Sequence, residues 1–108
     1  MSDITNLKSV EKEFELNDGE VIKLVINFSL LYKLREKRKS VYETYSNTLV
    51  MGSKDLFDYI QILYTAYLCA NINNIDSCMD FEKFIERMPN DITSIVGMAG
   101  ELIQPKKK

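Results

Sequence analysis

The sequence predicts an α+β fold, mainly α, with an N-terminal β-hairpin followed by four or five helices packed around one core. Three observations predict it. Residues 10–28 alternate apolar and polar side chains with a period of two on either side of Asn17-Asp18-Gly19. From residue 29 onward the apolar positions recur at three- and four-residue spacing, punctuated by Gly52 and Pro89. The chain has 108 residues, enough for one real core and too few for two. A single domain is expected, with a flexible N-terminus at 1–8, the hairpin at 10–28, a helical part at 29–103 and a basic tail at 104–108.

In the hairpin, Val10, Lys12, Phe14 and Leu16 fall on one side and Glu11, Glu13 and Glu15 on the other. Ile22, Leu24, Ile26 and Phe28 then alternate with Val21, Lys23, Val25 and Asn27. A two-residue loop at Asp18-Gly19 would set Phe14 opposite Lys23 and split the apolar residues between faces. A three-residue loop, Asn17-Asp18-Gly19 as a type I turn with a glycine bulge, sets Phe14 against Ile22, Val10 against Ile26 and Glu13 against Lys23. The second register is expected.

Ser29 is a candidate cap for a helix carrying Leu30, Leu31, Leu34, Val41, Tyr42, Tyr45 and Leu49, ended by Gly52. The polar gap at 35–40 either lies within this one helix or divides it in two, in which case Ser40 is the candidate cap of the second. Ser53 or Asp55 starts the next segment, Leu56 to about Ile72, where Leu56, Ile60, Leu63 and Tyr67 make one stripe and Tyr59, Ala66 and Ala70 broaden it. A polar loop, Asn71 to Ser77, leads to Asp80 as the cap of a short helix bearing Phe81, Phe84, Ile85 and Met88, stopped by Pro89. Asp91 caps the last helix, whose apolar side is Ile92, Ile95, Val96, Ala99, Leu102 and Ile103. Gly97 and Gly100 weaken that helix by about 1 kcal/mol each relative to alanine.

Composition excludes much chemistry. The chain has no histidine, which removes imidazole general acid/base catalysis, His-dependent nucleophile systems and metal sites that need imidazole. Cys69 and Cys78 stand nine positions apart, matching neither a CxxC pair nor a four-thiolate zinc site, and read as reduced thiols in a cytosol. The acids Asp55, Asp58, Glu82 and Glu86 fall at helix starts or on polar faces, so no catalytic residue, metal site or cofactor is expected. Four scattered glycines make no phosphate-binding loop.

Charge is uneven. Fourteen bases against sixteen acids give a formal net charge of -2. Five of the bases lie in the seven residues Lys33 to Lys39, whereas Asp55 to Glu101 holds Lys83 and Arg87 against eight acids. With a pI near 5.2, nucleic-acid binding is not expected, and the basic run reads as a solvated helix face. The N-terminus lacks a basic segment followed by an apolar run, so no secretory signal is expected. The least polar stretch, Tyr59 to Ala70, is 12 residues long and too short to span a bilayer. No membrane partner is expected. The run Tyr59 to Ile75 carries no charge, a surplus of apolar surface pointing to a partner or to self-association.

The order EFELNDGEVIKLVI, a helix after Phe28, ILYTAYLCAN (Ile62 to Asn71), MDFEKFIERM, a short helix and a lysine tail resembles the small tail assembly chaperones of long-tailed (siphovirus-like) bacteriophages and prophages. The resemblance runs from about Phe14 to Lys108. It implies a non-enzymatic protein of the bacterial host cytoplasm that binds the tape measure protein, keeps it soluble and helps the tail tube protein polymerise around it. A holdase for a long helical chain needs an apolar groove, and Tyr59, Leu63, Tyr64, Tyr67 and Leu68 are the candidate partner-binding residues. The alternatives are a structural head-tail or tail component kept in the virion, or a small nucleic-acid-binding regulator using Lys33 to Lys39. Many such chaperones also exist as a longer product made by ribosomal frameshifting, for which the codons of Lys106 to Lys108 are the candidate slippery site.

Overall fold

The computed structural model describes residues 10–53 and 55–103. Two antiparallel strands, β1 (Val10–Glu15) and β2 (Val21–Ile26), precede five α-helices: α1 (Phe28–Lys37), α2 (Lys39–Met51), α3 (Leu56–Ala70), α4 (Phe81–Glu86) and α5 (Ile92–Ile103). A 3-10 segment, Ile72–Ser77, joins α3 to the chain entering α4. The expected N-terminus at 1–8 and basic tail at 104–108 lie outside the described residues.

The hairpin adopts the three-residue-loop register. Val10 pairs with Ile26, Glu13 with Lys23 and Phe14 with Ile22. Gly19 N–H donates to the Leu16 carbonyl at 3.0 Å and Leu16 N–H to the Glu20 carbonyl at 2.8 Å, closing a type I turn with a glycine bulge. Gly19 has φ +93, the left-handed conformation that glycine adopts without steric penalty. Phe14, Leu16, Ile22 and Leu24 are buried, as the alternation requires. Val25, on the other face, is buried as well.

The turn is tied to the far end of the chain. Asn17 donates from its backbone N–H to the Arg87 carbonyl at 2.9 Å and from Nδ2 to the Glu86 carbonyl at 2.8 Å. These are C-terminal carbonyls of α4 that the helix itself leaves without partners. Arg87 in turn donates to Asp18 Oδ2 at 2.6 Å and to Glu20. The Glu20 backbone N–H and the Arg87 guanidinium hold the Asp18 carboxyl below its ordinary pKa.

Helix boundaries follow the capping chemistry, with three departures from the sequence reading. Asn27, not Ser29, caps α1, accepting from Leu30 N–H at 2.8 Å, which makes Phe28 the first helical residue and turns it to solvent. The break in the basic run falls at Arg38, φ -144 and ψ 73, and Ser40 lies inside α2 instead of capping it. Asn71 to Ser77 is wound as a 3-10 helix with Ile72 and Ile75 buried, where an open polar loop was expected. Asp55 caps α3 in a reciprocal box with Asp58, and Asp80 caps α4 through Lys83 N–H at 2.8 Å. At the head of α5, Asp91 takes the Ser94 hydroxyl at 2.7 Å.

Helix α3 is the axis of the molecule. It packs against β2 on one side, α5 on another, and α1, α2 and α4 elsewhere. Its residues Ile60 to Cys69 are all buried, ten in succession. A helix apolar on every side is stable only when surrounded, and five elements of this fold surround it. Thr65, fully buried, returns its hydroxyl to the Gln61 carbonyl at 2.9 Å. Burial pushes the Cys69 thiol up to about 12.

Candidate interaction surface

The five residues singled out as a partner groove are all on α3, and four of them are core. Leu63, Tyr64, Tyr67 and Leu68 are buried, and Tyr59 is half-buried against the same core. The expectation of surplus apolar surface on this helix is therefore corrected. One small core does cover it, because α3 is central and not peripheral.

The two tyrosines also have a defined structural task. Tyr64 lies 5.3 Å from Phe81 and 5.2 Å from Phe84 between ring centroids, and Tyr67 stacks on Phe84 at 5.3 Å. Their hydroxyls close on one peptide segment: Tyr64 donates to the Met79 carbonyl at 3.0 Å, and Met79 N–H donates to the Tyr67 hydroxyl at 3.1 Å. The rings supply apolar area while the hydroxyls satisfy the backbone entering α4. Burial pushes the Tyr64 phenol up to about 12 and raises that of Tyr67.

Exposed apolar area lies elsewhere, around the α2–α3 turn. The side of α2 that faces inward is Val41, Tyr45 and Thr48, spaced four and three residues apart. Leu49, expected on that side, is instead exposed. Val50 lies half a turn around the helix from the inward side and is 79% exposed, and Met51 is 65% exposed. Gly52, φ +89, ends the helix with its N–H on the Thr48 carbonyl at 2.8 Å. Phe57, in the first turn of α3 ahead of the buried stretch, is also exposed. Leu49, Val50 and Met51 thus close α2 and Phe57 opens α3, on either side of a turn whose sequence carries Lys54 and Asp55. A second exposed pair, Phe28 and Tyr32, lies one helical turn apart on α1.

The sequence held a signal for this patch. Val50 and Met51 are apolar residues off the α2 stripe, and an apolar side chain opposite the inward face has no intramolecular use.

Three of the five bases in the basic run are paired with acids. Arg38 reaches Asp76 at 2.7 Å, Lys39 lies 3.9 Å from Glu43, and Arg35 lies 3.7 Å from Glu36 with its guanidinium over the Tyr32 ring. The contact with Arg38 holds the Asp76 carboxyl below its usual pKa. Among the described residues, no three His, Cys, Asp or Glu side chains converge as a metal site, and no helix is long and apolar enough to cross a membrane. Compared with family models, with curated proteins and with solved structures, the chain matches none.

Proposed function

We propose that this protein is a non-enzymatic tail assembly chaperone of a long-tailed bacteriophage or prophage, acting in the host cytoplasm. It holds the tape measure protein in solution until the tail tube protein polymerises around it. The observation that supports this reading is the set of exposed apolar side chains flanking the α2–α3 turn, Leu49, Val50, Met51 and Phe57. An isolated exposed apolar residue is ordinary, but four flanking one turn leave apolar area that water solvates unfavourably. Such a patch binds the apolar stripe of a long helical chain reversibly, without chemistry. Binding is thereby moved from α3 to the tip, since the α3 side chains are committed to the core.

The test is co-expression with a tape measure protein, comparing that protein's soluble fraction with no partner, with this protein and with Val50→Glu/Met51→Glu. Both substituted positions are exposed, so the variant keeps its fold, checked by circular dichroism. Retention of the long chain in solution by the native protein and its loss with the variant is expected. An unchanged soluble fraction overturns the reading, as does recovery of this protein as a stoichiometric component of purified virions, the mark of a structural tail or head-tail part.

A further inference from the structure

Among the described residues, strand β1 has one paired edge and one open edge. Leu16 exchanges its ladder bond with Glu20 at 2.8 Å, and the register carries the same pairing to Phe14–Ile22 and Lys12–Leu24. In an antiparallel pair the intervening residues direct their N–H and C=O groups the other way. Glu11, Glu13 and Glu15 therefore present backbone donors and acceptors outward. Asn17, the next in this series, shows what the edge can do, since its outward N–H is the one taken by the Arg87 carbonyl.

The edge opens onto a groove of about 640 Å³ between β1 and one face of α5, where Phe14, Leu16, Pro89 and Met98 supply the apolar lining beside polar groups such as Asn17 and Glu101, the last ion-paired to Lys12 of β1 at 3.0 Å. Gly97 leaves room there, as a Cβ added to it would meet nothing within 4 Å. The groove is thus not a close approach that the fold itself requires.

Charge selects the occupant. Glu11, Glu13 and Glu15 are exposed on the solvent face of β1 and make no ion pair among the described residues. A second copy pairing through the same edge would set these glutamates directly opposite one another, which is unfavourable. In a strand added to this edge, residues opposite the three glutamates share their solvent face. The alternate residues face the groove beside Phe14 and Leu16.

We infer that the open edge of β1 and the β1–α5 groove form a docking site for an extended partner segment that alternates basic and apolar residues and adds as a third strand. The backbone edge supplies the pairing, Glu11, Glu13 and Glu15 meet lysine or arginine, and the groove takes the apolar side chains. The site uses none of the residues of the α2–α3 tip, so it stands or falls apart from the chaperone reading.

Two synthetic peptides of about eight residues, the length of an ordinary strand, test it: one alternating lysine and valine, the other glutamate and valine. Each is titrated into the intact isotope-labelled protein at low salt, with amide exchange followed residue by residue. Saturable binding of the lysine peptide is expected, with slowed exchange at the Glu13 and Glu15 amides. Glu11→Lys/Glu13→Lys/Glu15→Lys is expected to weaken it by about tenfold or more. Gly97→Phe, which fills the groove from an open position, is expected to weaken it with the charges intact. The inference is overturned by absence of binding, by equal binding of the glutamate peptide, or by binding that leaves the Glu13 and Glu15 amides unprotected.

Discussion

Substituting glycine by alanine at four positions of this chain should change stability in opposite directions, for reasons visible in the backbone. Gly97 and Gly100 lie inside α5, neither has a positive φ, and a Cβ built on either meets no atom within 4 Å. Glycine costs a helix interior about 1 kcal/mol relative to alanine, through the greater freedom it has in the unfolded chain. With no steric term to subtract, Gly97→Ala and Gly100→Ala should each stabilise by about 0.5–1 kcal/mol, and the pair by about 1–2 kcal/mol. For a domain of this size that is a rise in Tm of roughly 4–8 °C per kcal/mol. Gly19 (φ +93) and Gly52 (φ +89) meet nothing within 4 Å either, yet their backbone conformation disfavours any L side chain. Gly19→Ala and Gly52→Ala should therefore destabilise by about 1 kcal/mol or more. Urea and thermal unfolding of the four single variants, followed by circular dichroism, read the signs directly. Destabilisation by Gly97→Ala or Gly100→Ala would refute the open-space argument. Stabilisation by Gly19→Ala would refute the assigned turn.

Phe84 is fully buried between Tyr64 and Tyr67, and Phe84→Ala should cost about 3–5 kcal/mol in urea unfolding, enough to leave a marginal domain partly unfolded. Tyr67→Phe removes the acceptor of the Met79 N–H and should cost about 1–3 kcal/mol, whereas Tyr64→Phe removes a donor to a carbonyl and should cost about 0.5–1.5 kcal/mol. The same equilibrium unfolding separates the two, and equal small losses would mean that the Met79 segment is not held by these hydroxyls. Stability should also fall in alkali. Tyr45 and Tyr64 are pushed from 10.0 up to about 12 and Cys69 from 9.0 up to about 12, in each case chiefly by burial. Their neutral forms are favoured when folded, so the unfolded chain loses protons first; the stabilisation is complete below the unfolded values near 9 to 10 and is lost as pH rises toward 12. A urea midpoint that does not decline between neutral pH and about pH 11 would contradict that burial.

Local chemistry made most of the fold legible. The register of the hairpin follows from where Phe14, Ile22 and Gly19 fall. Asp55, Asp80 and Asp91 announce the starts of α3, α4 and α5, and Gly52 the end of α2, since each acts within one turn of its own position. Helix α1 starts two residues before a Ser29 cap would place it, because Asn27 and Ser29 are both competent caps and only the geometry of the strand exit chooses between them.

The candidate site was less legible, and the reason is tertiary. Apolar content in a sequence states how much surface needs covering, not what covers it. Tyr59, Leu63, Tyr64, Tyr67 and Leu68 carry the same apolar signature whether they line an open groove or an enclosed core, and the placement of α3 among five neighbours decided for the core. Conversely, Val50 and Met51 stand off the α2 stripe, yet that they and Phe57 form exposed surface is decided only by the fold, in which they stay exposed. The pairing of Asn17 and Arg87 and the open groove beside β1 join residues far apart in the chain, which no local pattern encodes. Periodicity, capping and turn chemistry act over a few residues and are written in the sequence; burial is a sum over all neighbours in space and exists only once the chain has folded.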